Sequence, residues 1–279
     1  MRILGVGDNV VDRYVDLGRM FPGGNALNVA VAASRAGAQA GYVGALGTDP
    51  AGDLVLAALH AERVDATRVR RVEGPNAYAD VTVVDGDRVF VGGNPTVSRF
   101  RLDADDLSYA ATFDLVHTGD CSMLEDQVTD LAVGTPVSFD FSVQREAAYL
   151  ALLLPHVMVA CFSASDLGEQ ATLDLLAGAV ARGPRLALAT RGAAPALLFD
   201  GQRTWRQPVI ASSVVDTLGA GDSFIGRVLV GVMAGEDPAA FLTAAAEAAA
   251  RTCGSYGAFG HGRPFAPRVA SATSAPAAS

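Results

Sequence analysis

Short apolar runs alternate with longer periodic runs along most of this chain, and this alternation constrains the fold most strongly. The short runs are mainly apolar without alternating, which is typical of strands buried on both faces of a sheet. The longer runs repeat apolar residues at the spacing of an amphipathic helix. Together they predict an α/β fold with three layers, in which helices cover both faces of a central, mostly parallel sheet. The predicted strands are Ile3–Gly7, Ala40–Leu46, Leu115–Thr118, Val137–Phe141, Val157–Phe162 and Leu186–Thr190, and the predicted helices are Ala26–Ala36, Gly52–His60, Ala147–Leu154, Gln170–Ala181, Ser223–Ala234 and Pro238–Arg251.

Two segments break this alternation and predict a small β-structure of their own. Tyr78–Val84 and Arg88–Val91 flank the segment 85–87, Asp-Gly-Asp, which is typical of a tight hairpin turn. Residues Arg13–Phe21 supply a further extended segment. We interpret these pieces as an antiparallel appendage inserted between βα units. The alternative is an extension of the edge of the main sheet.

The length of the chain, 279 residues, suits one large α/β domain or two small ones. We predict one domain over residues 1–265, with the appendage formed by residues from about 13–21 and 76–94. Beyond Phe265 the sequence is mostly Ala, Ser and Pro with few large apolar groups. We therefore expect residues 266–279 to form a disordered tail.

Charge and cysteine content disfavour several classes of partner and site. The formal net charge of −9 disfavours nucleic acid and anionic membranes as partners, and no apolar stretch is long and clean enough to span a bilayer. The chain reaches Asp8 after a short apolar run, which is typical of a buried first strand and not of a signal peptide. Three widely spaced cysteines disfavour a disulfide framework or a zinc site and favour a cytoplasmic location.

The strongest chemical signal lies in residues 216–224, Asp-Thr-Leu-Gly-Ala-Gly-Asp-Ser-Phe, where two glycines and Asp222 precede an apolar periodic run. Asp222 is therefore expected in or near the first turn of a helix, where glycine amides and the helix dipole favour an anion. A carboxylate beside such a site predicts phosphoryl transfer to a hydroxyl, with Asp222 accepting the proton. We expect the helix terminus to lower the pKa of Asp222 and keep it ionised. The alternative from this segment alone is a simple helix cap.

A second cluster, residues 22–28 (Pro-Gly-Gly-Asn-Ala-Leu-Asn), places two glycines before a helix that carries two amides in its early turns. Amide side chains offer donors and acceptors without charge, which suits sugar hydroxyls. Asn9 and Asp12 follow the first strand, near the carboxyl end of the sheet, where ligands bind in such folds. Taken singly, Asn25 is better explained as a helix cap and Asp12 as a solvated loop residue.

Other phosphate-binding patterns are disfavoured. No Gly-x-x-x-x-Gly-Lys-[Ser/Thr] motif occurs, which argues against a Walker-type ATPase. Residues 5–10 resemble half of a dinucleotide fingerprint, but Val10 stands in place of the third glycine. Asp8 and Asp12 would also repel a pyrophosphate, so an NAD-binding dehydrogenase is disfavoured.

The two clusters together resemble a known family. Residues 23–30 resemble the amino-terminal signature of the ribokinase-like carbohydrate kinases, also called phosphofructokinase B-type kinases, and residues 216–224 resemble their carboxy-terminal signature. The signatures occur in the expected order, and the resemblance runs from about Ile3 to Gly262. Within the family, the resemblance is strongest to the kinases of fructoselysine, an Amadori product. It is carried by residues 7–12, 21–24, 87–90, 139–142 and 205–207.

The resemblance implies a ribokinase-like fold in which the appendage is a β-strand lid over the sugar. It implies Asp222 as the catalytic base and the amides of Gly219, Ala220 and Gly221 as an anion hole for the transferring phosphate. The implied sugar-site residues are Asn9, Asp12, Gly23, Gly24, Asn25, Asn28, Tyr78, Arg88 and Asn94. The implied nucleotide-site residues are Thr190, Gly192, Thr217, Gly219, Gly221, Ala249 and Cys253.

The resemblance further implies ATP and Mg²⁺ as cofactors, a small-molecule sugar as substrate, and a homodimer formed through the lid. The family's usual Asn-x-x-Glu pattern is altered in residues 163–169, where the Asn is missing, so Asp166, Glu169 and Asp140 are the remaining candidates to serve the metal. Residues 255–258 resemble a loop that binds a monovalent cation such as K⁺ in some relatives. The alternative for this loop is an ordinary turn at the end of a helix.

The implied function is an ATP-dependent sugar kinase that transfers the γ-phosphoryl group to a primary hydroxyl of a ketose-like sugar or an Amadori product. The alternative within the family is a kinase for another small sugar or a nucleoside, and Tyr14, Tyr78, Arg88 and Asn94 are the residues expected to decide. An alternative of another class is a non-catalytic sugar-binding sensor. Asp222 with an intact Gly-Ala-Gly argues against that class.

Overall fold

The computed structural model describes residues 1–84 and 87–265, except that the side chains of residues 83–90 are outside the description. Asp85, Gly86 and the predicted tail 266–279 therefore lie outside the described residues. The strands in chain order are β1 Arg2–Val6, β2 Val10–Tyr14, β3 Arg19–Gly23, β4 Gln39–Val43, β5 Ala45–Gly47, β6 Arg70–Val72, β7 Tyr78–Val84, β8 Asp87–Asn94, β9 Leu115–Gly119, β10 Val137–Asp140, β11 Val159–Ser163, β12 Leu186–Arg191, β13 Ala194–Phe199, β14 Thr204–Gln207 and β15 Arg263–Pro264. The helices are α1 Asn25–Arg35, α2 Pro50–Ala61, α3 Ala104–Ala110, α4 Val128–Gly134, α5 Ala147–Leu153, α6 Glu169–Val180, α7 Ala220–Ala234 and α8 Pro238–Cys253.

The central sheet is mostly parallel, as predicted, and runs in the order β14-β13-β12-β11-β10-β9-β1-β4. Its strands from β12 to β4 are parallel, while β13 and β14 continue the sheet in antiparallel fashion at one edge. Because parallel strands end at the same edge, the carboxyl ends of β1, β9, β10 and β12 lie side by side. Residues that follow these strands can therefore build one site.

Helices cover both faces of this sheet, and neighbouring residues of β1 show the three layers directly. Leu4 packs into a cluster with Leu131 of α4 and Leu176 of α6. Ile3 packs on the opposite face with Val228 of α7 and other residues of α7 and α8. Since successive side chains of a strand point to opposite faces, each face of the sheet has its own apolar core.

The lid is a separate five-stranded sheet in the order β15-β3-β2-β7-β8, so the alternative of a simple edge extension is wrong. The predicted hairpin is confirmed as β7 and β8. Arg13–Phe21, predicted as one extended segment, is instead the end of β2, a 3₁₀ turn over Val15–Leu17 and the start of β3. The sheet is not purely antiparallel, however, because β2 and β7 pair in parallel. A parallel pairing needs a long connection, and the segment between β3 and β7, which contains α1 and α2, provides it.

The structure corrects several boundaries and adds elements. The predicted strand Ala40–Leu46 is split at Gly44, because β5 leaves the central sheet and pairs with β6. Helices α3 and α4 and the hairpin of β13 and β14 were not predicted. No helix within the described residues combines the length and apolar character that crossing a bilayer requires.

Candidate active site

Asp222 lies in the first turn of α7, as expected, although the helix begins at Ala220, three residues before the predicted start. Gly219 precedes α7 with φ 72°, a left-handed conformation that favours glycine. A Cβ at Gly219 would lie 2.3 Å from the Cβ of Ala258, so the loop before α7 packs closely on residues near the end of the described chain. Both the backbone conformation and the packing therefore require a glycine here.

Two amides of α1 hold the Asp222 carboxylate. Nδ2 of Asn25 donates to Oδ1 of Asp222 at 2.8 Å, and Nδ2 of Asn28 donates to Oδ2 at 2.7 Å. The residues of the two sequence clusters therefore meet at one carboxylate. Asn28 is buried, and its Oδ1 has no hydrogen-bond partner among the described residues. A buried acceptor of this kind is available to a ligand hydroxyl.

Asn25 also connects Asp222 to a second carboxylate, Asp140 at the end of β10. Its Nδ2 donates to Oδ2 of Asp140 at 2.9 Å, so one amide group serves both acids. The backbone N–H of Ser142 donates to the other oxygen of Asp140. A Cβ at Gly119, the end of β9, would lie 2.7 Å from Oδ1 of Asn25, which explains why a residue without a side chain stands there.

Burial dominates the proton affinity of these acids and overturns the expectation of a lowered pKa for Asp222. Loss of solvent raises the pKa of Asp222 to about 6, although hydrogen bonds from Asn28 and Asn25 lower it. Burial also raises the pKa of Asp140 to about 8, and the charges of Asp222, Asp120 and Asp8 add to the rise. The expectation was wrong because it considered only the helix terminus and not the loss of solvent around the carboxylate.

Asp8 is a site residue that the sequence reasoning missed. Its carboxylate accepts the N–H of Asn25 at 2.8 Å and that of Ala26 at 3.1 Å, and Ser122 donates to it as well. It therefore caps α1, whose own N-cap residue, Gly24, has no side chain to do so. A glycine at the N-cap was the available signal, because it implies an acceptor from elsewhere.

The predicted anion hole and one predicted nucleotide residue lie together. The N–H of Ala220 donates to the carbonyl oxygen of Thr217 at 3.3 Å. The first N–H groups of a helix have no acceptor within the helix, so the amide of Gly221 is suited to an anion. A Cβ at Gly221 would lie 3.9 Å from Oγ1 of Thr190, at the end of β12. Gly192 follows in a turn with φ 60°. Thr190 therefore lies beside the first turn of α7, and Gly192 follows it in the turn after β12.

The remaining predicted nucleotide residues are Thr217, in the loop before α7, and Ala249 and Cys253, in α8. The carbonyl oxygen of Cys253, the last residue of α8, accepts the N–H groups of Val215 and Asp216. Ala249 packs against the core between α7 and α8, and Thr217 is exposed in the loop. Of these residues, Cys253 therefore contacts the loop that contains Thr217, whereas Ala249 contributes to the apolar core.

Two predicted sugar residues of the lid face the site. Asp12 is buried, and a Cβ at Gly23 would lie 2.2 Å from its Oδ2, so Gly23 makes room for this carboxylate. Asp12 pairs in register with Phe21 and Ala79, which share its face of the lid. Gly24, with φ 111°, turns the chain from the lid into α1.

Three other predicted sugar residues are placed elsewhere. Tyr78 lies on the opposite face of the lid from Asp12, where the guanidinium carbon of Arg13 is 3.3 Å from its ring centroid. Asn94 is exposed and accepts the N–H of Thr96. The side chain of Arg88 lies outside the described residues.

Asn9 is also turned away from the site. It is fully buried, and its Nδ2 donates to the hydroxyl of Tyr42 and to the carbonyl of Ala45. Its Oδ1 accepts a hydrogen bond from Asn76. Every polar atom of the Asn9 side chain is therefore hydrogen-bonded inside the protein. These bonds link the segment before the lid strand β2 to Tyr42 of the central sheet.

The carboxylates predicted to serve a metal do not form a ligand group. Asp166 makes a two-point ion pair with Arg145, and Glu169 pairs with Arg206. Among residues 1–84 and 87–265, no three His, Cys, Asp or Glu side chains converge as a metal site. The described residues therefore fit a metal that arrives with its own ligands better than one held in a protein cage.

A mostly parallel sheet with helices on both faces and a separate β-lid define a ribokinase-like α/β fold. Solved structures share this fold: the ATP-bound fructokinase of Xylella fastidiosa matches with a TM-score of 0.77 at 22% identity over 92% of this chain and 94% of that chain. The ribokinase of Arabidopsis thaliana, solved with ribose and ATP, matches with the same TM-score, identity and coverage.

The sequence comparisons establish the family. The family model described as "pfkB family carbohydrate kinase" matches residues 8–261, and the chain belongs to this family. It is 43% identical to the fructosamine kinase FrlD of Bacillus subtilis, over 95% of each chain. It is 36% identical to the fructoselysine 6-kinase of Escherichia coli, over 91% of this chain and 98% of the other. The protein is therefore a phosphotransferase that acts on sugar hydroxyls, and a non-catalytic sensor is disfavoured.

Proposed function

We propose that this sugar kinase transfers the γ-phosphoryl group of ATP to the primary hydroxyl of a ketose-like Amadori product, with Asp222 as the base. The observation that carries the proposal is the meeting of Asn25, Asn28 and Asp222. These bonds hold the carboxylate at the junction of the sugar-side helix α1 and the phosphate-side helix α7. The open Oδ1 of Asn28 supports a hydroxyl binding beside it.

The acidity of the site supports an Amadori product as the substrate. An Amadori product differs from a plain ketose by an amine, which is cationic at neutral pH. Asp8, Asp120 and Asp222 all raise the pKa of Asp140, so their charges add in one region. Such a field favours a cationic ligand over a neutral one. The relatives named as fructosamine and fructoselysine kinases support the same substrate class.

In the proposed reaction, Asp222 accepts the proton of the attacking hydroxyl while the oxygen attacks the γ-phosphorus. With a pKa of about 6, Asp222 is ionised at neutral pH and remains a better base than an exposed carboxylate. The amides around Gly219, Ala220 and Gly221 donate to the phosphoryl oxygens, where charge is spread in a loose transition state. The lid face that carries Asp12 excludes water from the acceptor.

Mg²⁺ bound to ATP would neutralise part of the phosphate charge. Because Asp166 and Glu169 are paired with arginines and Asp140 accepts bonds from Asn25 and Ser142, we propose that the ion reaches the site with the nucleotide. We include no monovalent cation in the mechanism. The Asp216 carboxylate near residues 255–258 already accepts hydrogen bonds from Tyr14, Leu218 and Gly257.

The experiment is a phosphorylation screen with ATP and Mg²⁺ over fructoselysine, free fructose, ribose and nucleosides, with the phosphate position determined by NMR. We expect phosphate on the primary hydroxyl of fructoselysine. Product from a plain sugar or a nucleoside alone would overturn the substrate class and favour the alternative within the family.

The role of Asp222 is tested separately. Asp222→Asn should lower kcat by about 10²–10⁴-fold, the usual contribution of a general base, and leave sugar affinity largely intact. Asp53→Asn, on the exposed side of α2, is the matched control and should keep the wild-type kcat. An Asp222→Asn variant with unchanged turnover would contradict the proposed role.

A further inference from the structure

A row of polar side chains crosses the central sheet beneath the active site. His117 on β9 and Ser138 on β10 are directly paired in register, and Cys161 follows on β11. His117 Nδ1 lies 3.2 Å from Ser138 Oγ, and Ser138 Oγ lies 3.9 Å from Cys161 Sγ. All three residues are fully buried, next to apolar neighbours such as Leu115 and Val159. Polar groups in such surroundings are costly unless they are hydrogen-bonded.

The row ends at the side-chain amide of Asn25, which donates hydrogen bonds to Asp140 and Asp222. His117 Nε2 lies 3.1 Å from Oδ1 of Asn25. The Nδ2 group of Asn25 donates one hydrogen to Asp140 and one to Asp222, so its Oδ1 must be an acceptor. His117 Nε2 must then carry a hydrogen. Its Nδ1 has none and accepts from Ser138.

Burial keeps His117 neutral and so preserves this order of donors. Loss of solvent lowers the pKa of His117 to about 3, which leaves the ring with one hydrogen over the working pH range. The ionisable groups around the row are Asp8 after β1, Asp140 on β10, Cys161 on β11 and Asp222 on α7. Each hydrogen-bond donor in the row therefore has an acceptor. The donors all point the same way, towards the carboxyl groups of Asp140 and Asp222.

We propose that His117 and Ser138 are positioning residues that fix the orientation of the Asn25 amide and, through it, the Asp222 carboxylate. This inference rests on the proposed role of Asp222 as the base. Without the His117 donor, the Asn25 amide gains a second orientation in which its oxygen faces the carboxyl groups of Asp140 and Asp222. That orientation repels the ionised base and leaves it with one amide donor, from Asn28.

The test compares His117→Leu, which removes the donor, with His117→Gln, whose amide can donate to Asn25. His117→Leu should lower kcat by about 10–100-fold, move the acidic limb of the kcat–pH profile to higher pH by about half a unit or more, and leave KM for ATP within about twofold. His117→Gln should recover most of the loss. Cys161→Ala, at the far end of the same row, is the matched control and should change neither kcat nor the profile.

Several outcomes would overturn the inference. One is a wild-type profile in a folded His117→Leu protein, and another is a His117→Gln variant as impaired as His117→Leu. If His117→Leu does not fold, Ser138→Ala must still move the acidic limb of the kcat–pH profile to higher pH. An unmoved limb in Ser138→Ala would overturn the inference.

Imidazole ¹⁵N spectra give a readout that does not depend on activity. They must show His117 with a protonated Nε2 and an unprotonated Nδ1 from about pH 5 to pH 9. The opposite tautomer would overturn the inference. Asp222→Asn is measured in parallel. If Asp222→Asn keeps its turnover, the proposed function fails. If Asp222→Asn is inactive but His117→Leu is unaffected, only the inference about His117 fails.

Discussion

The hydroxyl of Tyr14, on lid strand β2, donates a hydrogen bond to the carboxylate of Asp216, at the start of the loop that carries the proposed anion hole. The same carboxylate accepts the N–H groups of Leu218 and Gly257. The lid, the loop before α7 and the segment after α8 are therefore joined at one acid. Tyr14 also packs edge-on against Phe21 and Tyr256 in a small aromatic cluster.

We predict that Tyr14→Phe weakens this junction without disturbing the aromatic cluster. Removing the hydroxyl deprives a buried carboxylate of one donor, which should lower the free energy of unfolding by about 1–3 kcal/mol and raise KM for both substrates. Chemical denaturation and steady-state kinetics measure the two effects. Tyr256→Phe removes a hydroxyl from the same cluster and should be close to wild type. Equal effects of the two variants would contradict a specific role for the Tyr14–Asp216 bond.

Gly219→Ala should damage catalysis through the backbone of the anion hole. The φ of 72° costs an L-residue about 1–2 kcal/mol, and the new Cβ would meet Ala258 at 2.3 Å. We expect kcat to fall by about tenfold or more, because the backbone N–H groups would no longer point at the phosphoryl oxygens. Gly178→Ala, in α6 with no atom within 4 Å of the new Cβ, is the control and should retain full activity. A fully active Gly219→Ala enzyme would contradict the proposed hole.

The pH dependence of turnover should report the ionisation of Asp222. Because the ionised carboxylate accepts the proton and its pKa is raised to about 6, kcat should rise with pH through about pH 6. Asn28→Ala removes an amide whose hydrogen bond lowers this pKa, so the limb should move to higher pH. Asn94→Ala, on the exposed lid strand, should leave it in place. A limb near pH 4 in the wild-type enzyme would contradict the desolvation of Asp222.

Asp140→Asn should stabilise the protein, and the gain should grow with pH. The folded-state pKa of Asp140 is raised to about 8, so the folded protein holds a proton that the unfolded chain releases from about pH 4. The free energy of unfolding therefore has its full value, as far as Asp140 is concerned, below about pH 4. Part of it is lost as the pH rises towards about 8. The neutral asparagine avoids this loss. Unfolding free energies measured at about pH 5 and pH 8.5 should show the larger gain at the higher pH.

Asp166→Asn provides the control of opposite sign. The Arg145 guanidinium lowers the pKa of Asp166, so its contribution to stability is present at neutral pH and is lost as pH falls. Its replacement should therefore cost stability at neutral pH and cost less in acid. A gain from Asp140→Asn that did not change between the two pH values would contradict a buried, proton-holding Asp140.

Patterns that depend on neighbours in sequence predicted much of this molecule. Parallel strands buried on both faces are apolar without alternating, and Asp222, Asn25 and Asn28 sit at helix starts that glycines mark. The hairpin of β13 and β14 was missed because it pairs antiparallel at an edge, where a βαβ pattern predicts another crossover. The pairing of β2 with β7 depends on the path of α1 and α2 between them, and no local pattern reports that.

The electrostatic and supporting parts of the site could not be predicted in the same way. His117 is a polar residue in a buried strand, and its partner Asn25 lies 92 positions away. Asn9 follows the first strand as a sugar ligand would, yet packing against Tyr42 and Asn76 engages its whole side chain. The pKa of Asp222 is raised by burial in the folded protein, which a helix-dipole argument does not include.

The proposed base, Asp222, and the amide of Asn25 that binds it are 197 positions apart in the chain. During synthesis from the amino terminus, α1 and most of the lid are made long before α7, so the nascent chain has a sugar-side helix without a base. Contacts of such long sequence separation also form late in folding, because closing the intervening loop is costly. Phosphoryl transfer therefore becomes possible only when the fold is essentially finished, and catalytic activity is a direct assay of correct assembly.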